Sequence, residues 1–279
     1  MEKTKVLYVS QEIFPYNSEN QMSNIGSNLP QKTQEDGKDI RIFLPKYGTI
    51  NERRHQLHEV IRLSGMNLII DDFDHQLIIK VASIQQLRMQ VYFIDNEEYF
   101  PRRQQFHDTD GNFMSNNDER LIFYCKGVIE TVRKLGWSPD VIHCQGWFSS
   151  LVPFYIKKLY SGDPLFENTK VVYSVFDNSK FSGVLSDSLC EKLMFENLEY
   201  DDISQLEKPT LLNLHKFAID YSDAIVQPTL HINNSILNYI ESSEKLFLRY
   251  PGDEDYEEKY QKLYDKLVEK KEEVLALTE

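Results

Sequence analysis

Val6-Leu7-Tyr8-Val9 follows the charged start Met1-Glu2-Lys3-Thr4-Lys5 and runs into Ser10-Gln11-Glu12. A short unbroken apolar run closed by polar residues has the form of a strand buried on both faces of a parallel sheet. The form recurs at Ile40–Leu44, Leu77–Val81, Gln90–Ile94, Val141–His143, Lys170–Val175 and Ala224–Val226. Between these runs the period changes. From Glu119 to Leu135 the residues Leu121, Tyr124, Cys125, Val128, Ile129 and Val132 repeat at three and four, which predicts a helix with Asn117 or Asp118 as N-cap and Gly136 as its stop. Phe148 to Leu159 and Thr210 to Tyr221 read as helices on the same grounds. Strands alternating with helices predict an α/β fold, a Rossmann-like doubly wound and mostly parallel sheet. Leu68 to Val81 and on to Phe93 reads instead as consecutive strands, a β-hairpin insertion, and no internal repeat is present.

Pro251-Gly252-Asp253-Glu254-Asp255 then punctuates a change of composition. Beyond it Tyr256, Tyr260, Leu263, Tyr264 and Leu267 form one stripe amid acids and lysines, an amphipathic C-terminal helix. The division expected is 1–250 as the Rossmann-type domain and 251–279 as an acidic, lysine-rich helix whose stripe either packs back on the body or meets a partner.

Composition narrows the function classes. The 279 residues carry 31 Lys and Arg against 44 Asp and Glu, and a net charge of −13 works against nucleic acid and anionic membranes as partners. No apolar run approaches the ~20 residues that span a bilayer, and the N-terminus lacks signal-peptide anatomy, so a cytoplasmic location is expected. Cys125, Cys144 and Cys190 are too scattered for a disulfide framework or a zinc site and read as reduced core thiols. No metal or cofactor is expected.

Ligands of open α/β sheets sit beyond the carboxyl ends of the strands. The segment after the first strand, Ser10 to Gly26, has no glycine pair and no lysine, whereas a phosphate cradle needs closely approachable amides and positive charge. Other segments have two readings each. Lys46-Tyr47-Gly48 lines a groove or makes a turn; Arg102-Arg103 with Phe100, Phe106 and His107 binds an anion or glucan or is a solvated loop; Asn116 to Arg120 caps a helix or contacts a ligand.

The ordered set of segments resembles the N-terminal half of bacterial glycogen and starch synthases, glycosyltransferase family 5. Val6 to Pro15 is similar to that family's opening strand and S-x-E-x-x-P turn, and Leu29-Pro30 fits the helix that follows. Gly37-Lys38-Asp39-Ile40-Arg41-Ile42-Phe43-Leu44-Pro45-Lys46-Tyr47-Gly48 resembles its G-H-x-V-R-V-x-L-P-x-Y-G. Tyr92 to Asn96 with Tyr99-Phe100, then Asn117 to Arg120, then Trp137 to Cys144, continue the likeness in order as far as about Thr229. The resemblance implies the GT-B arrangement, in which two Rossmann-like domains close on ADP-glucose and transfer glucose with retention to the non-reducing end of an α-1,4-glucan. It also implies α-glucan or ADP-glucose as ligands, with Lys46, Tyr47, Asn96, Tyr99, Asn117, His143, Trp147, Asp177 and Asn178 as candidate sugar contacts.

Four departures qualify it. The family's K-x-G-G-L donor loop aligns with Ser18-Glu19-Asn20-Gln21-Met22, so Ser18, Asn20 and Gln21 stand at degraded donor positions and Glu19 adds a negative charge. Its H-x-H-D-W-H aligns with His143-Cys144-Gln145-Gly146-Trp147-Phe148, keeping only His143 and Trp147. Its H-N becomes Phe176-Asp177 or, with a shift of one, reaches Asn178. The chain also ends where the family's second domain would begin. Loss of one charge-stabilising contact costs roughly 10²–10³ in rate. The expectation is little or no transfer by this chain alone, with a residual sugar-binding role; the alternative is a regulatory or scaffolding pseudoenzyme. A second polypeptide or a homo-oligomer would then meet the cleft face. On the sequence alone, His143 could equally be a core histidine satisfied by its neighbours, and Trp147 either a sugar platform or packing for a helix start.

Overall fold

The computed structural model describes residues 3–101, 104–177, 180–194 and 198–276. Five parallel strands form the middle of the sheet: β1 (Lys5–Ser10) lies between β2 (Asp39–Pro45) and the strand Val141–Gln145, with Met89–Asp95 and Lys170–Ser174 outside them. In chain order the strands after β2 are β3 (His58–Glu59), β4 (Met66–Ile70), β5 (Phe73–Ile84), β6 (Met89–Asp95), β7 (Val141–Gln145), β8 (Lys170–Ser174), β9 (Ala224–Val226) and β10 (Leu246–Leu248). The spatial order is β10-β9-β8-β7-β1-β2-β6-β5-β3, with β4 paired to β5. β3 to β5, β4 to β5 and β5 to β6 are antiparallel, the inserted hairpin region, and every other pairing is parallel. The chain reverses its direction of growth at β1 and β7, which places the topological switch beside the carboxyl end of β1.

Helices cover both faces. On one lie α1 (Gln21–Glu35), capped by Asn20, and the C-terminal helix; on the other lies α2 (Asn117–Leu135), ended by Gly136 at φ 60°. Gly26 in α1 is required by close approach: a Cβ there would stand 2.5 Å from the Glu12 carbonyl oxygen. From the opposite face, the Tyr124 hydroxyl of α2 donates to the Ser10 carbonyl at 2.8 Å. The loop after β1 is thus pinned from both sides.

Two expectations are corrected. Asn116 takes the N-cap position of α2 without a side-chain bond, while Asn117 and Asp118 lie in its first turn. The stretch Phe148 to Leu159 is helical but not one regular helix: a 3-10 turn, Trp147–Ser149, is followed by an α-helical turn, Val152–Phe154, that runs directly into the π-helical Tyr155–Leu159, and Pro153 withholds an amide hydrogen that a continuous helix from Phe148 would need. Farther on, α3 (Leu211–Asp220) has Thr210 accepting from the Asn213 amide at 3.2 Å, and α4 (Asn234–Ser242) precedes β10.

The last helix, α5 (Tyr256–Ala276), packs back on the sheet. Tyr260 and Tyr264 are fully buried, and Leu263 and Leu267 nearly so. Gln261 Nε2 donates to Thr33 Oγ1 at 2.7 Å, and Thr33 is also bonded to the Tyr8 hydroxyl at 2.6 Å. The three cysteines are buried and unpaired.

Candidate functional site

A cleft of about 480 Å³ opens at the carboxyl ends of β1, β8 and β9, the place the topology assigns to a ligand. Its floor is Glu12, from the turn after β1. That carboxylate is only 2% exposed and has three donors: Asn20 Nδ2 at 2.7 Å, Gln105 Nε2 at 3.0 Å and Lys180 Nζ at 3.0 Å. Lys180 also donates to Gln105 Oε1 at 2.9 Å, so lysine, glutamine and glutamate close a ring. Asp177 stands on the β8 side and accepts from the Asn233 amide at 2.6 Å. Met22, Phe176 and Leu230 give the cleft apolar walls, and Thr229 and His231 complete its rim.

The donor-loop positions are brought here as well. Asn20 and Gln21 line the cleft, and Ser18 sits exposed beside it. Their chemistry is used internally. Asn20 Oδ1 accepts from the Ser23 amide at 2.9 Å while Ser23 Oγ accepts from the Asn20 amide at 2.9 Å, a reciprocal capping box. Gln21 Nε2 donates to the Pro228 carbonyl at 3.2 Å. The positive end of α1, which elsewhere receives an anion, is here occupied by the helix's own cap. A diphosphate entering the cleft meets two carboxylates, Glu12 and Asp177, and one ammonium already shared by two partners.

Most of the expected sugar contacts lie elsewhere. Tyr47 and Trp147 are fully buried in an aromatic cluster with Phe106 and Phe148. Lys46 Nζ pairs with Glu52 at 2.7 Å, and Lys80 ties Glu52 to Asp95. Asn96 accepts from the amides of Glu98 and Tyr99 and donates to the Gln76 carbonyl, the bonds of a turn. The Tyr99 hydroxyl is held by His75 Nε2 at 2.9 Å and Glu119 at 3.2 Å. Asn117 accepts from Arg120 at 2.5 Å and donates to the Phe106 carbonyl. These side chains are engaged within the interior. Asn178 and the pair Arg102-Arg103 lie outside the described residues.

His143 faces α5. Its Nδ1 is hydrogen-bonded with the Tyr264 hydroxyl at 2.6 Å and its Nε2 with Ser174 Oγ at 2.7 Å. Complete burial pulls its pKa down to about 3, so the ring is neutral. Next along the strand, Gln145 is fully buried and accepts from Ser10 Oγ at 2.9 Å. Gly146 has φ 81° and ψ 169°, a conformation nearly confined to glycine, and a Cβ there would stand 2.5 Å from Gln11 Oε1. Gln11 Oε1 in turn accepts from the Phe148 amide at 3.2 Å. The backbone is built around the absence of a side chain at 146.

Sequence reading missed Glu12, Lys180, Thr229, Leu230 and His231 as a group. Their one signal was position, each following a strand that ends at the cleft. Among the described residues no cluster of His, Cys, Asp and Glu could hold a metal, and no helix is long and apolar enough to cross a membrane.

Comparison with known proteins agrees with this architecture. The family model of the starch synthase catalytic domain matches residues 5–236. A glycogen synthase of Chlorobium luteolum is 39% identical over 195 residues, covering 70% of this chain and 40% of that protein. A glycogen synthase of Chlorobaculum parvum is 35% identical over 246 residues, covering 86% and 48% respectively. The chain thus spans less than half the length of either relative. Among solved structures, the catalytic domain of Starch Synthase IV from Arabidopsis thaliana, bound to ADP and acarbose, has the same fold with a TM-score of 0.71 at 17% identity, over 89% of this chain and 51% of that one.

Proposed function

This chain belongs to the starch synthase catalytic domain family, and we propose that it retains the family's cleft for a neutral sugar or glucan end while having lost the means to transfer glucose from ADP-glucose. Retaining transfer needs the charge of the departing diphosphate to be met as it develops. Here Ser18 stands at the position of the donor-loop cation, Asn20 and Gln21 stand at those of its glycines, and the one lysine of the cleft is committed to Glu12. That Glu12–Lys180 pair under a self-capped helix is the observation that carries the reading. What is left, apolar walls of Met22, Phe176 and Leu230 with amide and hydroxyl groups around them, suits an uncharged polyol. Purified chain incubated with ADP-glucose and a maltooligosaccharide primer should give no elongated product; robust elongation contradicts the reading.

A second reading, a scaffold that docks a polypeptide, is favoured by the 60% exposure of Leu230 at the cleft rim. Size-exclusion chromatography with light scattering tests it. A stable dimer that a Leu230→Asp variant dissolves supports docking, and a monomer at all concentrations leaves the sugar reading alone.

A further inference from the structure

At the opposite end of the sheet, where β1, β2 and β6 begin, a separate concavity of about 590 Å³ has a charge balance contrary to that of the whole chain. Lys3, Lys5, Lys38, Arg41 and Arg88 line it against a single acid, Asp39, on a protein whose net charge is −13. Cations gathered in one concavity repel one another unless an anion sits among them. Asp39 offsets only one of them: its Oδ1 accepts from Arg41 Nη1 at 3.2 Å, and its Oδ2 accepts from Trp137 Nε1 at 2.8 Å.

Of the cations, Lys38 pairs with Asp265 of α5 at 2.9 Å, while Lys3 and Arg88 pair with no described residue. Arg41 lies over the Trp137 ring at 5.3 Å and spends Nη1 on Asp39 and the Ile40 carbonyl. Its Nε is buried and has no hydrogen-bond partner among the described residues. Arg88 stands at φ 52°, where glycine or asparagine is the less strained choice.

We propose that this concavity is a binding site for a small phosphorylated compound carrying two or more negative charges, with Arg41, Lys3 and Arg88 as its ligating cations. A multiply charged oxyanion matches converging cations better than a carboxylate does, and Met89 and Ile40 supply an apolar wall for the rest of the molecule. The site shares no residue with the strand-end cleft and stands or falls apart from the function proposed for it.

Inorganic pyrophosphate is the probe, followed by calorimetry and by the emission of Trp137, which is 8% exposed beneath Arg41. Binding should saturate and weaken with salt. It should fall about tenfold in a Lys3→Ala/Arg88→Asn variant, whose replaced side chains are exposed and pair with no described residue, so that its thermal midpoint is unchanged or, with strain at position 88 relieved, raised. Lys180→Ala, in the other cleft, should bind as wild type. Absence of saturable binding, equal affinity in the double variant, dependence on Lys180, or equally tight binding of polyglutamate would each overturn the assignment.

Discussion

Lys180 Nζ donates to Glu12 Oε1 at 3.0 Å, and the proposed function rests on this contact in the strand-end cleft. A carboxylate exposed by only 2% is stable there because a lysine and two amide side chains donate to it. The same contact engages the one lysine that a phosphate in this cleft would meet.

If charge is the barrier, removing it should open the cleft to nucleotide. Glu12→Gln with Asp177→Asn keeps the shape and cancels two negative charges, so ADP affinity should rise by about tenfold, which corresponds to ~1.4 kcal/mol of relieved like-charge contact. Titration calorimetry of the variant against wild type checks this, and an unchanged affinity counts against an electrostatic cause.

Gly146 should not tolerate a side chain. Gly146→Ala should lose about 1–3 kcal/mol of stability from the backbone conformation alone, plus the clash with Gln11. Gln11→Ala in the same molecule should relieve only the clash, so the two substitutions should be non-additive in urea unfolding. Additive losses would show that Gln11 is not the obstacle.

The bond between His143 and Tyr264 ties the last helix to the middle of the sheet. Tyr264→Phe should cost about 1 kcal/mol, one buried hydrogen bond, whereas Tyr264→Ala should cost about 3–5 kcal/mol through the cavity it leaves. Denaturant midpoints separate the two, and near-neutral values for both would mean that α5 is not part of the cooperative core.

Stability should fall on acidification. Burial draws His143 and His215 down to about 3 each, so below the ordinary histidine value the unfolded chain binds two protons that the folded chain refuses. Stability contributed by these rings is therefore full above about pH 6.5 and is lost as pH falls toward 3, with a slope approaching ~2.7 kcal/mol per pH unit. Asp95 and Asp118, which burial raises, act in the opposite sense at the acid end. A His215→Gln variant measured by urea unfolding between pH 7 and 5 should show about half the slope; an identical slope would remove His215 from the account.

The sheet was legible because buried parallel strands are written as short apolar runs, and Ala224–Val226 agrees with β9 residue for residue. Gly136 announced the end of α2 because only a left-handed residue closes that turn. β10 escaped notice, since Leu246–Leu248 is a half-buried edge of three residues with no pattern of its own. The site was less legible. A run of apolar residues does not say which way Tyr47 or Trp147 points, and His143 meets α5 only because the chain returns over the sheet far downstream. Lys180 and Leu230 belong to loops after β8 and β9, and nothing local marks them as neighbours of Glu12. Departure from the family's donor loop was readable in Asn20 and Gln21; that they would cap α1 and brace the cleft was not.

The most direct measurement is a calorimetric titration of maltoheptaose, ADP-glucose and ADP into the Lys3→Ala/Arg88→Asn variant, in which phosphate uptake at the strand starts is weakened. The account predicts saturable maltoheptaose binding that Leu230→Asp or Asp177→Ala weakens, and from either nucleotide no heat beyond the weakened uptake at the strand starts, which Lys180→Ala leaves unchanged. Tight ADP binding abolished by Lys180→Ala would contradict it, since the diphosphate would then have found in that lysine the partner that Glu12 is here held to occupy.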